Sequence, residues 1–245
     1  MNHSELITLA SLNLHGGLSG HGEPFDVAEA CHRLKADVIA LQEAWWPTGQ
    51  PDPVTDVAAE LGAKLVHRGL ATDTDLARLG LADDSGPGTW GLAVLSMLPV
   101  TGYEVIELGR APTDVISRAA QVVTVTAPGG AALRIVNTHL THRFSSPVQL
   151  ALLAYRLAAG TGPAGTGPAG TGPTVIVGDL NMPRPATLFA PGYRSVVRGR
   201  TFPADWPLIQ LDHMLIRGRV TASGGEVLDP VGSDHLPIRA QLSAG

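Results

Sequence analysis

Residues 174–182 read TVIVGDLNM. Four β-branched residues end abruptly at Gly178, so a buried strand delivers Asp179 and Asn181 to one edge of a sheet, two positions apart and on one side. The same arrangement recurs along the chain: Asn13 closes ITLASLN, Glu43 closes DVIALQE, His139 closes LRIVNTH, and Asp234 with His235 sits in VGSDHLPI. Each joins an apolar, strand-like run to a group that can titrate or hold a metal. Strands that bring carboxylates, amides and imidazoles to one sheet end are a way of building a divalent-metal site. Because these points run from Asn13 to His235, residues 1–245 are expected to form a single domain.

Further strands are expected at 6–14, 38–41, 65–67, 91–97, 115–126, 133–137, 174–177, 211–216 and 236–241, from their β-branched content and Gly/Pro/Asp punctuation. The 115–126 and 131–138 runs, joined by Pro-Gly-Gly, read as an antiparallel hairpin. Residues 25–35 are predicted to be an amphipathic helix with Cys31 on its packed side. Ser146-Pro147 opens a second helix, on which Val148, Leu152 and Tyr155 share one face. Strands interspersed with few helices point to a mixed α/β fold with two sheets rather than a parallel doubly wound one. Residues 159–173 repeat AGTGP three times, a composition too poor in apolar surface to order itself, and are expected to be a flexible loop.

The chain carries 17 basic and 22 acidic residues, a formal charge of −5, with no Lys/Arg cluster and only two lysines, Lys35 and Lys64. That balance counts against a protein that grips long duplex DNA through its phosphates. Arg194, Arg198, Arg200, Arg217 and Arg219 read as a solvated rim. No run reaches membrane-spanning length, no export signal is visible at the N-terminus, and Cys31 has no disulfide partner, so a cytoplasmic monomer is expected.

Chemistry can be assigned to several of the polar positions. Glu43 at a buried strand end needs a cationic partner to offset its desolvation. Asp179 can ligate a metal or accept a proton from water, and Asn181 can hold an oxyanion or the nucleophile. His139 is read as facing a phosphate. Asp212, within the strand LDHML, suits the orientation of an imidazole, and His235, after a Gly-Ser turn, suits contact with substrate. Asp234 is then free for the metal, and alternation turns His213 away from the site. The remaining histidines are assigned to surface or packing, His15 among them.

The ordered set SLNLHG, LQEAW, NTHL, GDLNM, TFP with LDHML, and SDHLP resembles the endonuclease/exonuclease/phosphatase superfamily over residues 6–242. The resemblance implies a four-layer α/β sandwich, with two mixed sheets packed face to face and flanked by helices. It implies Mg2+- or Mn2+-dependent hydrolysis of a phosphate ester, with a nucleic acid or a small phosphorylated molecule as partner. Asn13, Glu43, Asp179 and Asp234 would hold the metal. His139, Asp179, Asn181, Asp212 and His235 would be catalytic, with Arg118, Asn181, His139 and His235 on the substrate phosphate. Glu43 would be the principal ligand, and Asp212 would orient His235. Some relatives place a Glu near the Gly91 position to pair with the strand histidine, whereas GTWGLAVLS has none. The 182–211 stretch is short for a DNA-gripping insertion, and Trp45, Trp46 and Trp90 either pack or stack on substrate. A phosphodiesterase is expected, with a phosphomonoesterase and a non-catalytic binding protein as alternatives.

Overall fold

Strands buried along most of their length, several of them on both faces, set the architecture. A computed structural model describes residues 6–72, 87–112, 114, 116–142, 144–160 and 172–245, so the AGTGP segment, but for its ends, lies outside the described residues. One sheet contains β1 (Ile7–Asn13), β2 (Val38–Pro47), β3 (Lys64–Thr72), β4 (Gly88–Ser96), β11 (Val220–Val227) and β12 (Ile238–Ala244), in the order β11-β12-β1-β2-β4-β3. The other contains β5 (Val100–Gly109), β6 (Arg118–Thr126), β7 (Ala132–Thr138), β8 (Thr174–Asp179), β9 (Arg194–Ser195) and β10 (Asp212–Arg217), in the order β5-β6-β7-β8-β10-β9. Each sheet has one parallel pair, β1 with β2 and β7 with β8, so both are mixed. Ile7, Leu9, Val38 and Val94 of the first sheet meet Val123, Ile135, Val177 and Met214 of the second in one buried core. The sheets therefore pack face to face.

Helices cover the outer faces. On the first sheet, α1 (Val27–Leu34) is capped by Asp26, whose side chain accepts from the Glu29 amide, and α2 (Pro53–Glu60) by Asp52, which accepts from Thr55. Both bury apolar residues against Leu12, Ile39 and Leu41. On the second sheet, α3 (Ser146–Ala159) starts with Pro147 in its first turn and ends at Gly160 in the left-handed conformation. Its buried side is Gln149, Leu150, Leu153, Ala154 and Leu157. Val148 and Tyr155, with Leu152 between them, do share a face, but it is the outward one: Val148 is 70% and Tyr155 71% exposed. Four layers result, as the motifs implied.

The strands that the sequence left unread are β5, β9 and β11, together with α2. Strand β11, VTASGGEV, is exposed almost throughout and carries two glycines, so no apolar alternation marks it. Strand β5 is an edge strand with a solvent side, and α2 starts in a Pro-rich stretch that reads as a loop. The 115–126 and 131–138 hairpin is present as β6 and β7, with Thr126 opposite Ala132.

Near the site the inter-sheet core turns polar. Buried Asn137 on β7 donates its side-chain N–H groups to the carbonyls of Leu41 and Ala93 in the opposite sheet, both at 2.9 Å. Its Oδ1 accepts from Gln42 Nε2 at 2.7 Å. Leu41 and Ala93 are the last paired residues before a bulge in β2, where pairing with β4 resumes at Ala44 and Gly91. One extra residue on β2 leaves ladder groups unpaired, and Asn137 satisfies them from across the core. On the neighbouring strand, Gly178 sits at φ +132°, and a Cβ there would lie 2.1 Å from the Thr138 carbonyl oxygen, so only glycine lets β8 close on β7 immediately before Asp179.

Replacing Asn137 by Ala should strand the Leu41 and Ala93 carbonyls in the core and destabilise the protein by about 2–5 kcal/mol. Urea denaturation of the variant measures this, and a loss below about 0.5 kcal/mol would show that water or rearrangement replaces the bridge.

Candidate active site

The β2 bulge turns Glu43 out of the sheet. Its φ of +52° is a conformation that side chains other than glycine seldom adopt, and Asn181 (+50°) and His15 (+47°) share it. Three left-handed, non-glycine residues at the same sheet ends are the backbone's mark of a functional site. Asn13 ends β1, Asp179 ends β8, His139 follows β7, Asp212 begins β10, and Asp234 and His235 lie in the loop before β12.

The side chains converge. Asn13 Nδ2 donates to Glu43 Oε1 at 2.9 Å and to Asp179 Oδ2 at 3.2 Å, while its Oδ1 accepts from the His15 amide at 3.0 Å. Ser233 Oγ donates to the Asn13 carbonyl at 2.6 Å, which ties the Asp234–His235 loop to β1. One ligand atom each from Glu43, His139 and Asp179 lies within 4.8 Å of the other two. Burial raises the Asp179 carboxyl to about 7, with Asp212 and Glu43 adding to the rise and His235 and the Asn181 amide opposing it. Two carboxylates crowded around an imidazole whose Nδ1 is buried without a hydrogen bond among the described residues form a place short of positive charge. This oxygen-rich donor set fits a hard divalent cation.

The two histidines that face Asp179 differ in charge because their partners differ. Asn181 Nδ2 donates to the Leu140 carbonyl at 3.0 Å and also lies 3.0 Å from His139 Nε2, so that nitrogen accepts and the imidazole proton belongs on Nδ1, 3.6 Å from Glu43 Oε1. Burial, and then Arg118, His235 and His142, hold the His139 pKa well below the usual value, and the ring is neutral. His235 Nδ1 is 2.8 Å from Asp212 Oδ2. Burial alone would lower its pKa, but the Asp212 carboxylate and its hydrogen bond, with Asp179 and Asp234, raise it to about 10, so this ring is a cation. Its Nε2 points toward Asp179 Oδ2 at 3.8 Å.

Asp234 stands beside this group rather than in the Glu43–His139–Asp179 trio, with its Oδ1 3.7 Å from His15 Nδ1. Arg118 is buried against Asp114, Nε to Oδ2 at 3.1 Å, and its guanidinium lies 5.6 Å over Trp90, whose ring is 5.4 Å from His139. Its Nη1 is buried without a partner among the described residues. Trp90 is thus a buried wall of the site and not a stacking platform. His213 turns away as alternation requires, with Nε2 2.9 Å from the Met182 carbonyl oxygen. Asp114 and Phe202, whose ring is 4.8 Å from His235, were not singled out by the sequence, and His15, assigned there to surface or packing, stands beside Asp234. Only the four-residue spacing of Asp114 and Arg118 hinted at one of them.

A profile of the Endonuclease/Exonuclease/phosphatase family matches residues 10–235, which takes in every residue of the site. No curated protein sequence matches the chain. Solved structures resemble it along nearly its whole length. An endonuclease/exonuclease/phosphatase from Beutenbergia cavernae is 18% identical, with 98% of this chain and 72% of that one covered and a TM-score of 0.71. The human Nocturnin catalytic domain with bound sulfate is 17% identical, with coverage of 100% and 97% and a TM-score of 0.70. A mannosyl-6-phosphatase from Bacteroides thetaiotaomicron is 16% identical, with coverage of 96% and 99% and a TM-score of 0.68. At such identities the likeness speaks for the fold. No described helix is long and apolar enough to cross a membrane.

The Asp212–His235 pair should show in the pH dependence of stability. Below the unfolded histidine pKa of about 6.5 both states are protonated and the stabilisation is fully present. Between that pH and about 10 the folded state keeps a proton that the unfolded state releases, so stability falls as pH rises. Asp212→Asn should flatten this loss in metal-free protein, measured by denaturant midpoints across the window. An unchanged slope would mean that Asp212 does not hold the charge on His235.

Proposed function

The chain belongs to the endonuclease/exonuclease/phosphatase family and is a hydrolase of phosphate esters, and from that premise we propose that it cleaves a phosphodiester by in-line attack of water, assisted by Mg2+ or Mn2+. The observation that carries this reading is the Asp212–His235 pair facing the Asn13–Glu43–Asp179 cluster across Asp179 Oδ2. Glu43 and Asp179 would hold the cation, with Asn13 fixing both carboxylates and Asp234 completing the set from the His15 side. When bound, the cation supplies charge neutralisation at the non-bridging oxygens.

The rest follows from the chain's own groups. Both N–H groups of the Asn181 amide are committed, to Leu140 and His139, which leaves its Oδ1 to accept from the attacking water. Asp179, two residues before Asn181 and bonded to its amide, takes the water proton. Cationic His235 presents Nε2–H to an oxygen where charge develops. Neutral His139 accepts from Asn181 and faces Glu43, so its part is to position the Asn181 amide at the phosphate.

Charge favours a diester over a monoester. A phosphomonoester carries about −1.5 to −2 at pH 7, a diester close to −1. Glu43 and Asp179 would offset the two charges of the cation, Asp212 faces His235 and Asp114 faces Arg118, so among the described residues the cluster has little positive charge left over. A singly charged phosphate is the better fit.

A panel with Mg2+ or Mn2+ tests this. Bis(p-nitrophenyl) phosphate should be hydrolysed faster than p-nitrophenyl phosphate, and chelation should abolish both rates. His235→Ala should lower kcat on the order of 10²–10³-fold. Glu43→Ala should weaken Mn2+ binding in calorimetry by at least about tenfold while the metal-free fold holds its stability. A monoester preference, or unchanged Mn2+ affinity, would overturn the respective assignment.

A further inference from the structure

Positive charge in this acidic chain is concentrated in one stretch. Residues 184–219 hold six arginines against Asp205 and Asp212, whereas the other residues hold 11 basic and 20 acidic side chains. Within that stretch the short 3-10 turn Ala186–Phe189 and strand β9 border a cleft of about 360 Å³, lined by Arg184, Pro185, Ala186, Thr187, Ser195 and Arg198. That is the size of a small-ligand site. Arg68, Arg118, Arg134 and Arg239 each have a carboxylate partner. Among the described residues no ion pair engages Arg184 or Arg198, and both are exposed. Two guanidinium groups lining one cleft without a counter-ion, beside two hydroxyls, make a place for an anion, and guanidinium forks match phosphate oxygens.

The cleft is tied to the catalytic cluster from two sides. Arg184 follows Asn181 by three residues, so their Cα atoms are at most about 11 Å apart. Arg198 precedes Thr201 by three residues, and Thr201 Oγ1 accepts from the Asp212 amide at 3.2 Å. We propose that this cleft binds a second, non-scissile phosphate of the substrate, which makes the substrate a short single-stranded oligonucleotide and not an isolated diester. The proposal rests on the phosphodiesterase reading above. Two arginines in a narrow cleft suit one strand, where a duplex would need a broad basic face.

The test is the full-length Arg184→Ala/Arg198→Ala variant, in which two exposed side chains outside the catalytic cluster are shortened. Binding of a fluorescent single-stranded oligonucleotide to metal-free protein should lose salt dependence, with the slope of log K against log salt smaller by about 0.7 for the one lost phosphate contact. With metal, KM for the oligonucleotide should rise about tenfold at unchanged kcat, while the rate on bis(p-nitrophenyl) phosphate, which has one phosphate, stays the same. An unchanged salt slope and KM, or an equal loss on both substrates, would overturn the cleft as a phosphate subsite. Weakened binding of tripolyphosphate without any effect on the oligonucleotide would overturn the oligonucleotide in favour of a small polyphosphate. Should the protein cleave no diester at all, the phosphodiesterase reading fails separately, and the metal-free salt slope still decides the cleft.

Discussion

A buried carboxamide couples the two sheets beside the site. Asn137 reaches from β7 to the backbone of β2 and β4 at the point where the β2 ladder breaks. Without that reach, the bulge would leave carbonyls stranded in a dry core, at a cost comparable to a lost hydrogen bond for each. With it, the bulge is satisfied and Glu43 can leave the plane of its strand. Gln42 and Ser11 extend the same network, so the register of β1 and β2 against β7 is set by polar contacts and not by apolar packing alone. Apolar contact is non-directional. Hydrogen bonds specify which residues stand level, and the convergence of Asn13, Glu43 and Asp179 depends on that.

The site also shows one residue type driven to opposite charge states over a few ångströms. His139 and His235 are both buried and both lie within 4 Å of Asp179. Burial, and after it Arg118, holds His139 neutral, whereas at His235 the Asp212 carboxylate outweighs burial and keeps the ring charged. One ring is thereby suited to hold and orient, the other to stabilise negative charge. Asp212 is buried to do this, and the separation of roles is carried by its position at the head of β10, opposite Asp179.

Much of this was legible in the sequence because strand periodicity and terminal chemistry coincide. Asn13, His139, Asp179 and Asp212 sit where apolar alternation stops, and the structure brings all four to one sheet end. Asp212 and His213 diverge as neighbours on a strand must. Less legible were the features that depend on another strand's register. The β2 run gives no sign of its bulge, since Gln42 and Glu43 are ordinary strand-end residues until their partner strand is known. Asp114 and Trp90 belong to the site only through Arg118 and His139. The outward face of α3 was also ambiguous, because Leu150, Leu153 and Leu157 define a second apolar stripe on the same helix, and only the sheet beneath decides which is buried.

The left-handed backbone at His15, Glu43 and Asn181 has an evolutionary consequence. Each such residue carries about 1 kcal/mol or more of conformational strain that glycine would relieve. Substitution by glycine at these positions would therefore gain fold stability while deleting the functional group. Selection for heat tolerance alone would push the chain toward those glycines, and the catalytic apparatus would be the first part of the molecule to erode. A histidine, a glutamate and an asparagine in conformations that glycine adopts freely place the strain of the backbone where the polar groups converge.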